Sequence, residues 1–344
     1  MNGSRSGAIA LFVAVVGGGW AGAQAPAGDV EKIDPAFDAI VSPTAKLEVV
    51  KEDYFGLLGK PVWVPDAQGG HLLLADPAAN VIYKWSAGAG LSVFLQPAGL
   101  AAKNNPNVGA HVNNGRLNIL AVGAWGLALD PQGHLTIAAT ADRNVVRLES
   151  DGTRTVLADG YAGKRFNSPI ELVYRSDSAL YISDGTAGLR GRHDDPAAEW
   201  RFQALFLLKD GKVDILALDE GIGTGIALSP DEKYLYNAGN RITRYAVRAD
   251  ATIENGRVIM DWGAKRAGLP RIAVVTDQQG HVYATGPGGV WVLTSDGKHL
   301  GTIRLPEAGA NLAWGDPDRR GLYIMSRRSV YRIRTNVAGL RPQS

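Results

Sequence analysis

The chain repeats one phrase: an apolar run, a tight polar turn, and a second, alternating apolar run. Its clearest copy is Trp125–Ala138 (WGLALDPQGHLTIA), where Asp-Pro-Gln-Gly makes the turn. Pro and Gly set the turn backbone, and the flanking apolar residues mark half-buried strands, so the phrase reads as a β-hairpin. Further copies stand at Pro61–Asp76, Ile170–Asp184, Gly225–Ala238, Ile272–Thr285 and Ala310–Met325. Six copies, roughly forty to sixty residues apart, are the pattern of a blade-by-blade architecture.

Each copy is followed by outer-strand material: Val81–Trp85, Asn144–Leu148, Ala204–Leu208, Arg241–Val247, Gly289–Leu293 and Ser329–Ile333. Most of these lead through a Gly turn into another short strand, giving about four strands per unit, the make-up of a propeller blade. Helical periodicity is nearly absent. The expected fold is all-β, a six-bladed β-propeller over residues 47–336 with four-stranded blades around a central channel. Leu47–Val50 is expected to join the last blade and remove the open sheet edge. Residues 24–46 read as a polar linker and 337–344 as a tail.

The N-terminus reads as a secretory signal over residues 1–23. Arg5 gives the positive start, Ala8–Val16 the apolar core, and Ala21-Gly22-Ala23 the small-residue cleavage site. The apolar run is short for a membrane span, and no later stretch is long enough. The expectation is a periplasmic or secreted protein. It has no cysteine, which excludes disulfides, thiolate metal sites and a Cys nucleophile. A net charge of +2 gives no reason to expect a nucleic-acid partner. A small molecule is the expected partner, and the oligomeric state is not readable.

No nucleophile elbow, H-E-x-x-H, Walker loop or dinucleotide fingerprint occurs. His71, His134 and His281 follow the turn glycine at equivalent places, which marks them as structural, and His299 is expected in a solvated turn. Two segments break the rhythm, Ala98–Leu120 with His111 and Gly188–Arg201 with His193. Insertions in repeat folds often gather on the binding face.

Lys164-Arg165-Phe166-Asn167-Ser168-Pro169, Ser229-Pro230-Asp231-Glu232-Lys233-Tyr234-Leu235-Tyr236 and Thr285-Gly286-Pro287-Gly288-Gly289-Val290-Trp291 carry a family likeness, as does Asn311-Leu312-Ala313-Trp314-Gly315. Together they resemble the gluconolactonase/senescence-marker-protein family, the regucalcin-like lactonases, over nearly the whole mature chain. The resemblance implies a six-bladed propeller with a divalent cation at the channel mouth that polarises a lactone or ester carbonyl and activates water.

Carried over residue by residue, the family's ligand positions are changed. Gly59 stands at the expected Glu, Ile170 at an Asn with Glu171 at the following Asp, and Thr224 at another Asn. Arg271 and Ile272 fall where an Asp is expected, and Trp125 replaces a usual Asn. A hard cation needs several converging oxygens, so the expectation is no metal ligand and no cofactor. Lys60 or Arg271 would then stabilise an oxyanion, and Glu171 would serve as general acid–base. Trp125, Asn167, Ile170, Thr224, Asp184 and Ile272 would line the substrate site. Structural readings stand beside these: Asp76 and Asp184 capping blade turns, and Lys60, Arg271 and Glu171 forming ion pairs. Two functions stay open, hydrolysis of a lactone or ester, and non-catalytic binding of an apolar or aromatic ligand.

Overall fold

The computed structural model describes residues 30–101, 123–218, 221–263, 273–326 and 328–341, and the backbone of 110–113 and 116–119. The expected signal segment, Arg271 and Ile272 lie outside the described residues, as does the His111 side chain.

Six sheets form the ring, each with its first strand innermost. Blade one comprises Val62–Val64, His71–Asp76, Val81–Ser86 and Gly90–Leu95, paired antiparallel in chain order. Blades two to five begin on the inner strands Ala124–Leu129, Pro169–Tyr174, Gly225–Leu228 and Val274–Thr276. Blade six begins on Gly309–Gly315. Its fourth strand is Glu48–Lys51, which pairs with Val330–Arg334 as the Leu47–Val50 pattern leads one to expect. First and last parts of the chain therefore close the ring through one sheet.

Burial explains why the blades need each other. The inner strand Ala124–Leu129 is buried at every residue, whereas the outermost strand of the same blade, Arg154–Ala158, is exposed or half-buried at all but Ala158. Each blade's apolar faces are covered by its neighbours: Leu73 and Ile82 of blade one pack against Leu127, Ile137 and Val146 of blade two. Trp63 and Leu72 meet Tyr323 and Met325 across the closing seam. Fully burying such side chains contributes about 1.5–3 kcal/mol each. No single blade could bury both of its faces, so the ring is the smallest stable unit.

Two stretches differ from their sequence reading. Within the expected linker, Val30–Lys32 adds a fifth strand to blade five, and a 3₁₀ turn at Pro35–Ala39 follows. Phe37, Ile40 and Val41 of this stretch are fully buried between blades five and six, an apolar cluster too short to register as a periodic element. His299 is not a solvated turn residue. It opens the strand His299–Arg304 and stacks on Trp291 at 3.9 Å with the rings 2° from parallel.

The turn histidines behave as the repeat implies. His71, His134 and His281 reach Asp66, Asp130 and Asp277 through Nδ1 at 2.8, 3.0 and 2.8 Å. Each aspartate also accepts backbone N–H groups of its own turn, so the histidine braces a cap already made.

Candidate active site

The starts of the inner strands surround the channel axis on the face away from these turns. Lys60 sits where the chain enters blade one. Its N–H donates to Trp125 O at 2.9 Å and its carbonyl accepts from Leu127 N at 3.2 Å, a short parallel bridge to blade two. The side chain runs on to Glu171 Oε2 in blade three and to Ile226 O in blade four, 3.1 Å from each. Ile226 N donates to the same Oε2 at 3.2 Å. One lysine thus ties four blades together at the axis.

Glu171 is aimed by its own strand. The pairing of Pro169–Tyr174 with Leu180–Asp184 shifts register between Pro169 and Glu171. Glu171 N then donates to Ser183 Oγ at 3.0 Å, and Ser183 Oγ donates to Thr224 O at 2.7 Å. The two charged side chains are 13% and 4% exposed for Lys60 and Glu171. Desolvating a charge costs several kcal/mol unless a partner and good hydrogen bonds compensate (about 3–5 kcal/mol when one partner is removed). An ammonium has three donors. Lys60 uses two of them, and Glu171 Oε1 receives no protein donor among the described residues.

Beneath the pair runs a narrow cavity of about 140 Å³ whose walls include Ile226, Val173, Val275 and Ala313. Beside the pair, Trp125, Ile170 and Ala187 form an apolar wall with Leu57 packed against it. Bare glycines let these strand starts close in. A Cβ on Gly59 would lie 2.1 Å from Trp125 O, so no side chain can be placed there without moving the backbone. At Gly185 a Cβ would touch Ile170 Cγ1 at 3.4 Å and Thr224 Cγ2 at 3.5 Å, which places those two residues together.

The structure therefore brings Lys60, Glu171, Trp125, Ile170 and Thr224 together. Asn167 and Asp184 stand behind them as clamps. Asn167 Nδ2 donates to Trp200 O and its Oδ1 accepts from Glu199 N, both at 2.8 Å, pinning the second insertion. Asp184 accepts from Asn167 N at 2.8 Å and Ser168 N at 2.6 Å. Burial pushes its carboxyl up to about 7 against the pull of those backbone donors and of Arg143. Asp76 is the equivalent clamp of blade one, accepting from Gly56, Leu57, Ala78 and Ala79 N–H groups. His193 is exposed in its 3₁₀ turn. The sequence did not single out Ser183 or the Ile226 backbone. Both flank recognised motifs, but which groups Lys60 and Glu171 meet depends on blade packing.

The described residues do not fit a divalent cation. Gly59 has no room for a carboxylate, Ile170 is packed in the apolar wall, the Asn167 amide is committed, and Glu171 faces an ammonium. No three His, Asp or Glu side chains among the described residues converge on a common point.

Fold and site together define a six-bladed propeller with its polar centre at the head of the channel. The family model described as the SMP-30/gluconolactonase/LRE-like region matches residues 61–328, and the chain belongs to that family. A gluconolactonase from Zymomonas mobilis is 30% identical over 326 residues, covering 91% of this chain and 87% of that protein. A gluconolactonase from Xanthomonas campestris superposes with a TM-score of 0.73 at 24% identity, over 91% of this chain and 96% of that one. The calcium-binding protein regucalcin from Agrobacterium tumefaciens does so with 0.66 at 18%, over 86% and 95%. At these identities the two structures speak for the fold.

Proposed function

We propose that this protein opens a lactone or related ester by acid–base chemistry at the Lys60–Glu171 pair, without the family's divalent cation. The carrying observation is that, among the described residues, the pair keeps one ammonium hydrogen and one carboxylate oxygen, Oε1, uncommitted. In the reaction, Oε1 takes a proton from water as the water oxygen bonds to the lactone carbonyl carbon. The third N–H of Lys60 donates to the carbonyl oxygen as it becomes an oxyanion. Collapse breaks the ring C–O bond, and the ring oxygen leaves with the proton held by Glu171, giving a hydroxy acid. Trp125, Ile170 and Leu57 favour a substrate with an apolar flank.

Family membership and the Zymomonas mobilis gluconolactonase support the lactone as reaction class. The test is acid release, followed in a pH-stat after dialysis against chelator, from a panel of sugar, alkyl and aryl lactones. Turnover that survives chelation and is not raised by calcium or zinc is expected. Activity that appears only on adding a divalent ion would overturn the metal-free reading.

The near-complete burial of Glu171 favours a second reading, in which the pair only ties blades together and the wall binds an apolar ligand without turnover. A dead panel combined with ligand-induced thermal stabilisation would select it. We also propose export, on the strength of the N-terminal segment. Mass measurement of the mature protein is expected to place its first residue at Gln24, and an uncleaved chain would overturn that.

A further inference from the structure

On the face opposite the pair, the turns of blades one, two and six enclose a vestibule of about 440 Å³, within the roughly 300–1,000 Å³ of small-molecule pockets. Trp63, Pro65, Leu129 and Pro317 give it an apolar wall. Three carboxylates also line it, and all three are committed. Asp66 accepts from Gln68 N and Gly70 N and meets His71, while Asp130 accepts from Gln132 N and His134 N and meets the His134 ring. Asp316 is held by Arg332 Nη2 at 2.5 Å and Arg334 Nη1 at 2.7 Å. Arg319 donates to Gly339 O at 3.2 Å.

Arg341 is different. Among the described residues it makes no hydrogen bond or ion pair, yet the chain leading to it is fixed. Gln278 N donates to Ala338 O at 3.0 Å, Gly339 N donates to Arg319 O at 2.8 Å, and Gly339 presses on the Trp314 ring. Leu340 then lines the central channel, and Arg341 sits where the vestibule narrows into it. Arg319 lies near enough to feel that side chain: burial first, and the charge of Arg341 second, hold the Arg319 guanidinium below its usual value.

We propose that this vestibule is a second binding site, for a small monocarboxylate with an apolar body, distinct from the Lys60–Glu171 centre. Arg341 offers the planar fork that matches a carboxylate with two parallel hydrogen bonds. Trp63, Leu129 and Pro317 take the hydrocarbon part. The three nearby aspartates select against a dianion such as phosphate, and each already accepts three or more donors, which leaves them weak acceptors for a ligand amine.

The test is isothermal titration of the full-length protein with benzoate, benzamide, benzylamine and inorganic phosphate, repeated with Arg341→Ala and Arg341→Lys. Benzoate is expected to bind at one site, with benzamide at least tenfold weaker and phosphate and benzylamine not detected. Arg341→Ala is expected to weaken benzoate at least tenfold, with Arg341→Lys intermediate because an ammonium keeps the charge and loses the fork. Circular dichroism and melting temperature check that both variants are folded. No benzoate binding to the wild type, equal binding of benzamide, or unchanged affinity in Arg341→Ala would each overturn the proposal. Since binding is read directly, it stands or falls apart from turnover at the other face.

Discussion

Carboxylates meet basic side chains on both faces of this ring, in two different manners. On the turn face the contact repeats: Asp66–His71, Asp130–His134 and Asp277–His281 occupy equivalent corners of blades one, two and five. All three pairs are local, four or five residues apart, and belong to the turns themselves. At the channel head one such contact stands among the described residues. Lys60 and Glu171 are 111 residues apart and meet because the ring closes around them. What repeats serves the fold of each blade. A buried contact outside the repeat, at the channel head, is where chemistry particular to this protein is to be sought.

The strongest way to break this comparison is Lys60→Met. It leaves Glu171 buried without its cation, at a cost of about 3–5 kcal/mol, and the melting temperature is expected to fall sharply along with turnover. The double variant Lys60→Met/Glu171→Leu sharpens the point. Replacing the whole pair by apolar groups is expected to recover most of the stability and none of the activity. Recovery of activity in the double variant would assign the pair to structure alone.

Asp184→Ala comes next. It strips the acceptor from Asn167 N and Ser168 N in a buried setting, at about 1–3 kcal/mol per orphaned donor, and is read by chemical denaturation. The same residue predicts a pH dependence. Its folded-state carboxyl lies near 7 against an ordinary 3.8, so the folded protein holds the proton more tightly than the unfolded chain. The stabilisation is complete below about pH 3.8 and is lost as pH rises through about 7. Melting temperatures between pH 5 and 8.5 are expected to decline less in Asp184→Asn than in the wild type. Parallel curves would remove Asp184 as the cause.

The smallest effect belongs to the repeated pairs. The His134 side chain is 45% exposed, and partly exposed pairs of this kind contribute about 0–1 kcal/mol. His134→Gln is expected to shift stability within that range and leave turnover intact. A large loss of activity would contradict the division between the two faces.

The sequence displayed the ring well because its signals are local. Apolar runs and turn residues lie side by side in Trp125–Ala138, and the closing strand carries its own alternation at Leu47–Val50. The capping by Asp76 was legible for the same reason through Ala78 and Ala79, whereas the backbone donors to Asp184 come from Asn167 and Ser168 on the preceding stretch. The site was legible only in part. Family motifs placed Lys60, Glu171, Trp125, Ile170 and Thr224 near the axis, but nothing local to Lys60 says that its ammonium reaches blades three and four. Asn167 misled most. It reads as a substrate contact within its motif, whereas its amide is committed to the backbone of Glu199 and Trp200, more than thirty residues away. Phe37, Ile40 and Val41 were hidden because a single turn has too few residues for a period to show.

The measurement that tests the central claim most directly is kcat/KM for lactone hydrolysis by Glu171→Gln beside the wild type, both chelator-treated and matched for folding by melting curve. Gln keeps an oxygen for Ile226 N and Lys60 but cannot accept a proton. The account predicts a fall of roughly 10²–10⁴-fold, the usual contribution of a positioned general base. Unchanged turnover in a folded Glu171→Gln would contradict it and leave Lys60–Glu171 as a tie between blades.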